Sequence, residues 1–258
     1  MAMEIHPYLG LRQPVSAMTH AAGFLAACCA TVFFHRRCRG NLQRWLAFEC
    51  FACCLVAAYA ASALYHGVPV TGEHLLFLRR LDHTGIYLLI AGTFTPALGI
   101  ALGHQFRWRF MVGMLWLAAL IGISCKWLFA IQPYWTSISL YIGMGWMGFL
   151  PLGAFQRILG FRAVCWALAG GVCYTIGGLA DLNGWPIVIR GVFGSHEFMH
   201  LCTMGGSACH FIFLMRYVLP FELGPRRILP ESSPDSSSQP GKPGVKIAYS
   251  GQRPRNAG

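Results

Sequence analysis

Seven stretches of about 20 apolar, almost uncharged residues recur along the chain, over 15–34, 45–65, 81–102, 109–130, 134–155, 163–182 and 196–219. A bilayer core of about 30 Å is crossed by about 20 residues of helix at a rise of 1.5 Å each, so each stretch predicts one membrane-spanning helix. Glycines fall inside the runs, at Gly143, Gly145 and Gly148, at Gly170 and Gly171, and at Gly177 and Gly178. Small residues there suit close approach of helices in lipid. A lipid-facing β-barrel would instead alternate apolar and polar positions over short segments, and that pattern is absent. The fold class expected is an all-α integral membrane protein, a seven-transmembrane-helix bundle crossing a plasma membrane or bacterial inner membrane several times.

The flanks of the runs set the organisation. The first run is longer than the apolar core of a signal peptide, and only Arg12 precedes it, so it is expected to stay as the first helix. From 221 the chain turns to PESSPDSSSQPGKPG with scattered basic residues, which predicts a disordered basic tail. The expected division is therefore a short N-terminal segment (1–14), one membrane domain (15–220) and a tail (221–258). Composition agrees: 55% of residues are hydrophobic and 11% charged, too few charges for a soluble surface. The 11 cysteines lie mostly within the runs, and Cys50-x-x-Cys53 has no second CxxC, so they read as small apolar filler.

A net charge of +11 would suggest nucleic acid in a soluble protein, but here the basic residues sit in loops and tail. One side of the membrane collects Arg12, Arg79, Arg80, Lys126 and Arg190. The other collects Arg36, Arg37, Arg39, Arg44, Arg107, Arg109, Arg157, Arg162 and Arg216, followed by the basic residues of the tail. The positive-inside rule then puts the C-terminus in the cytoplasm and the N-terminus outside.

With seven spans, parity brings His20, His66, Asp82, His83, His196 and His200 to one leaflet, although they lie up to 180 positions apart. Ser62 and His66 are four residues apart, as are His196 and His200, so each pair shares a helix face. Three neutral imidazoles with one open position are the ligand set of a catalytic zinc, and a carboxylate beside it, here Asp82, can hold or deprotonate the water. Ionisable groups inside a membrane are costly unless paired or metal-bound. Taken singly, His20, His83 and His210 read as interhelical hydrogen-bond donors, Asp82 as an ion-pair partner of Arg79 and Arg80, and Ser62 as bonded to its own helix. His196-Glu197-x-x-His200 also spells the H-E-x-x-H of zinc proteases. That reading fails on its third ligand, because the acids after Glu197 are Glu222, Glu231 and Asp235, near or in the tail, and Glu197 lies about 100° around the helix from His196.

SALYH (62–66), LDHTGIYLLIAGTFTP (81–96), SHEFMH (195–200) and GSACHF (206–211), with PVSAMTH (14–20) at the start of the first span, resemble the hemolysin III branch of the progestin and adipoQ receptor family. The resemblance covers about 14 to 220. It implies seven membrane helices and one Zn2+ bound by His66, His196 and His200, with Asp82 near the metal's water and Ser62 one turn before the first ligand. It also implies a likeness to alkaline ceramidases, and adiponectin-receptor members are associated with ceramide hydrolysis. The orientation implied by those receptors, N-terminus and zinc in the cytoplasm, is opposite to the one the charges imply.

The leading functional expectation is a zinc-dependent hydrolase of amide-linked membrane lipids, ceramide-like by the resemblance alone. In it Asp82 takes a proton from water and Ser62 helps the tetrahedral oxyanion. A different class is a receptor or signalling protein whose zinc braces the helices, Asp82 then being a fourth ligand or a partner of one. A secreted soluble pore-former would not carry seven spans, so haemolysis is a family label rather than a mechanism.

Overall fold

Helix follows helix through residues 10–129 and 133–221, the part of the chain described by the computed structural model. The elements are α1 (Pro14–Cys38), α2 (Leu42–Gly67), α3 (Gly72–Ala101), α4 (Phe106–Leu128), α5 (Tyr134–Trp146), α6 (Leu152–Leu159), α7 (Phe161–Asn183) and α8 (Ser195–Phe213), which runs on through a π turn, Leu214–Val218. Among the described residues the only β pairing is an isolated bridge between Ile189 and Phe193, in the loop before α8. Six of the helices are long and apolar enough to cross a membrane: α1, α2, α3, α4, α7, and α8 with its π turn. Their outer faces carry Leu25, Phe110, Leu120 and Ile176, exposed side chains that only lipid would accept in such numbers.

The fifth predicted span, 134–155, differs from a single straight helix. It is a pair of helices bent by 44°, with α5 giving way to a 3-10 turn (Met147–Phe149) before α6. The cause is local: Gly143, Gly145 and Gly148 weaken the helix, and Pro151 lacks the N–H needed to continue the ladder. Counted as one broken passage, the pair makes up to seven spans. Helix α3 begins at Gly72, nine residues before the expected 81, because its first turns are helical although Glu73, His74, Arg79 and Arg80 flank the short apolar run at 75–78. The tail (222–258), the first nine residues and the predicted end of the fourth span at 130 lie outside the described residues.

Packing is sequential at first, with α1 against α2, α2 against α3 and α3 against α4. Then α7 pairs with α8, and α8 returns to touch α1, which brings the last helix beside the first two. Glycines permit the tightest contacts. A Cβ on Gly85 of α3 would lie 2.7 Å from the Ala58 backbone of α2, and one on Gly170 of α7 would lie 2.4 Å from the His210 ring of α8. Between α2, α3, α5, α7 and α8 this arrangement leaves a cavity of about 440 Å³.

Candidate metal centre

Three capping devices place the residues of the site. Helix α2 ends at Gly67, and the chain before α1 is stitched to that end. Arg12 N–H donates to the Gly67 carbonyl at 3.2 Å and Gln13 N–H to the His66 carbonyl at 2.9 Å, while the Arg12 guanidinium lies 4.3 Å over the Tyr65 ring. Helix α7 closes on Gly184, whose φ of 65° is the left-handed cap that favours glycine, so that Asp181 sits in its last turn. Helix α8 opens with the Gly194 N–H donating to Glu197 Oε2 at 2.9 Å, which fixes the first turn carrying His196.

His66, His196 and His200 converge there, and their candidate ligand atoms all lie within 4.8 Å of one another. His196 Nε2 is 3.4 Å from His66 Nε2 and 3.2 Å from His200 Nε2. The opposite ring nitrogens of His66 and His196 have partners of their own. His66 Nδ1 meets Gln13 Oε1, and His196 Nδ1 meets Asp181 Oδ1 at 3.2 Å. An amide oxygen and a carboxylate accept, so both Nδ1 atoms carry the proton and both Nε2 atoms are left as lone pairs. Lone pairs converging at this separation repel one another unless a cation lies between them. Three nitrogens around a tetrahedral zinc at its usual bond length stand about 3.3 Å apart, so the donor set and spacing fit that ion. His20 of α1 stacks on His200 at 3.8 Å between centroids and meets the Tyr59 ring edge-on at 5.0 Å, filling the space behind the cluster.

Of the residues expected from sequence, His66 and His200 are almost fully buried, His196 is half-buried, and Ser62 is buried on α2 facing the Asp82 carboxylate of α3. Ser62, Asp82, His196 and His200 line this cavity. Among the described residues Asp82 makes no ion pair within 4.0 Å with Arg79 or Arg80; the ion pairs are His35 with Glu49 and His196 with Asp181. His210 donates Nε2–H to the Ala167 carbonyl at 3.1 Å, the interhelical bond its single occurrence suggested. Glu197 bonds none of the three histidines: besides capping α8 it accepts from Ser16 Oγ of α1 at 3.0 Å and is buried.

Asp181 and Gln13 were not singled out from the sequence, and His20, expected there as an interhelical hydrogen-bond donor, makes ring contacts with His200 and Tyr59 instead. The signal that finds them is the same parity argument, because the end of the sixth span and the residues before the first lie on the leaflet of His66 and His196. The rest of the lining is largely apolar, including Ile86, Leu89 and Ile90 of α3, Leu152 and Phe155 of α6 and Phe213 of α8, with Thr93, Thr175 and Thr203 among them.

Comparison with known proteins finds relatives over most of the chain. A family model described as "Haemolysin-III related" matches residues 11–211. Hemolysin-3 of Bacillus cereus is 31% identical over 207 residues, which covers 80% of this chain and 91% of that one. The Hemolysin-3 homolog of Bacillus subtilis (strain 168) is 28% identical over 204 residues, 78% of this chain and 92% of that one.

Proposed function

The chain is an integral multi-pass membrane protein belonging to the haemolysin-III related family, and on that premise we propose that it is a zinc-dependent hydrolase of amide-linked lipids with a seven-span bundle, α5 and α6 forming one broken span. The observation that carries the reading is the convergence of His66, His196 and His200 at one end of a cavity that His196, His200, Asp82 and Ser62 line together and whose other walls are largely apolar.

His66, His196 and His200 would hold the metal. Bound there, zinc supplies a Lewis acid that polarises the amide carbonyl and makes water a better nucleophile at neutral pH. Everything else falls to the chain. Asp181 and Gln13 hold two of the three imidazoles in the tautomer that presents Nε2. Asp82 accepts the proton of the attacking water and returns it to the leaving nitrogen as the C–N bond breaks, so that one water is consumed and a carboxylic acid and an amine are released. Ser62 donates toward the oxygen on which negative charge develops. The apolar walls around Leu89, Phe155 and Phe213 hold the acyl chain and exclude bulk water. Since the cavity lies at membrane depth, the lipid reaches it from the bilayer.

The alternative is a receptor or signalling protein with a structural zinc. One observation favours it: the three histidines come from α2 and α8, so a metal would clamp the second helix to the last. The two readings part on purified protein assayed for zinc by mass spectrometry and for release of fatty acid from amide lipids. In the hydrolase Asp82→Asn keeps zinc and loses turnover by about 10²-fold or more, whereas His200→Ala loses both. Zinc present with no turnover on any amide lipid supports the clamp. Full zinc occupancy in both His66→Ala and His200→Ala rules out the three-histidine site.

A further inference from the structure

The cations of the leaflet that holds the histidines are few and unevenly placed. Topology gives that side Arg12, Arg79, Arg80, Lys126 and Arg190. Arg12 is committed to the Tyr65 carbonyl and ring, and Arg80 lies 5.8 Å over the Trp127 ring. Arg190 belongs to the loop between α7 and α8. That leaves Arg79, which lines the cavity with Tyr134 and Ile138 of α5, and Lys126 at the end of α4, which reaches Ser137 between those two α5 residues.

Among the described residues neither is in an ion pair with a carboxylate. Lys126 donates one hydrogen bond, to Ser137 Oγ at 2.5 Å, and an ammonium has three to give. The two carboxylates that line the cavity face other groups: Asp181 takes His196 and the Tyr134 hydroxyl, and Asp82 faces Ser62. Two cations at this end of a membrane cavity, neither in an ion pair among the described residues, are complementary to an anion.

We propose that this end of the cavity binds a negatively charged lipid headgroup through Arg79 and Lys126, so that the preferred lipid is an N-acyl amide bearing a carboxylate or phosphate on its amine side. The location of the amide rests on the hydrolase reading; the headgroup site does not. Arg79 precedes Asp82 by three residues on α3, about 4.5 Å along the axis toward the aqueous side. An anion there is a few bonds from a carbonyl placed between Asp82 and the histidines, with the acyl chain running the other way along the apolar walls. A neutral headgroup would leave both cations unmatched.

The test is binding, measured on the full-length protein in nanodiscs of neutral phosphatidylcholine, with matched pairs of probes. One pair is N-palmitoylglycine and its methyl ester; the other is ceramide 1-phosphate and ceramide. The charged member of at least one pair is expected to bind about tenfold or more tightly than its neutral partner. That ratio should fall toward unity in an Arg79→Gln, Lys126→Gln double variant, be largely kept in Arg79→Lys, and be unchanged in Arg190→Gln. Which pair shows it tells carboxylate from phosphate. A wild-type ratio near one for both pairs, a ratio that survives the double variant, or equal loss in Arg190→Gln overturns the proposal. Zinc content and elution volume matching wild type show that the variants are folded. If the ratio behaves as expected but neither amide is cleaved, the hydrolase reading falls and the headgroup site stands.

Discussion

Asp181 holds His196 Nδ1 at 3.2 Å and does not itself belong to the histidine cluster, so its loss tests orientation separately from ligation. Partners of this kind typically change metal affinity by about 10- to 100-fold. Asp181→Asn is accordingly expected to bind zinc that much more weakly in a chelator competition while still binding one ion per chain. An unchanged affinity would mean the carboxylate is only packing. Glu197 gives the opposite expectation. It caps α8 and bonds Ser16, so Glu197→Leu should lower stability by about 1–3 kcal/mol, the cost of losing a cap and stranding a buried partner. Zinc content should stay at wild type; loss of zinc would return the residue to the metal site. His196-Glu197-x-x-His200 was therefore only partly legible. The i, i+4 spacing of the histidines was readable, but the role of the letter between them depended on Ser16, some 180 residues away on another helix.

At the scale of elements, the α7–α8 contact depends on Gly170, where an added Cβ would meet the His210 ring at 2.4 Å. The ring is tethered by its bond to the Ala167 carbonyl, so it cannot swing clear without losing that partner. Gly170→Ala is expected to destabilise by about 2 kcal/mol, seen as a fall of several degrees in the Tm of the purified protein. Gly143 lies on α5 with open space around its would-be Cβ. Gly143→Ala should hold or slightly raise Tm, by about 0.5 kcal/mol of reduced chain entropy. If both variants shift alike, close packing is not what distinguishes the two glycines. Six helices were readable because each is an unbroken apolar run of membrane length. The break between α5 and α6 was less so: Gly143, Gly145, Gly148 and Pro151 stand in plain view, yet hydropathy averages over them, and whether such a run bends depends on what packs beside it. The early start of α3 was hidden for the converse reason, since in its first turns Glu73, His74, Arg79 and Arg80 interrupt the apolar run without interrupting the helix.

Over the whole molecule, charge and function meet in the question of which side the histidines face. Parity puts His66, Asp82, Asp181 and His196 on the leaflet that holds five basic residues, against nine on the other before the tail is counted. Three of the nine, Arg36, Arg37 and Arg39, lie together in or just after the last turn of α1, and Arg44 follows in the first turn of α2. Basic residues in short loops close to span ends are the ones that set orientation. Arg44 also bonds the Leu219 carbonyl at 2.8 Å and the Phe221 carbonyl, so the end of the last helix is held beside the same cluster. A fluorescent protein fused after the last residue is therefore expected to fluoresce in a bacterial host, and alkaline phosphatase inserted in the α7–α8 loop near Arg190 to be active. Replacing Arg36, Arg37 and Arg39 by Gln brings the balance before the tail to six against five, so a mixed population is expected, with both reporters reduced. The reverse wild-type pattern, a dark C-terminus and an inactive loop fusion, would place the histidines on the cytoplasmic side. The headgroups reaching Arg79 and Lys126 would then come from the inner leaflet. That outcome leaves the geometry of the site untouched but changes the pool of lipids it meets, which is why orientation has to be measured before any substrate is sought in cells.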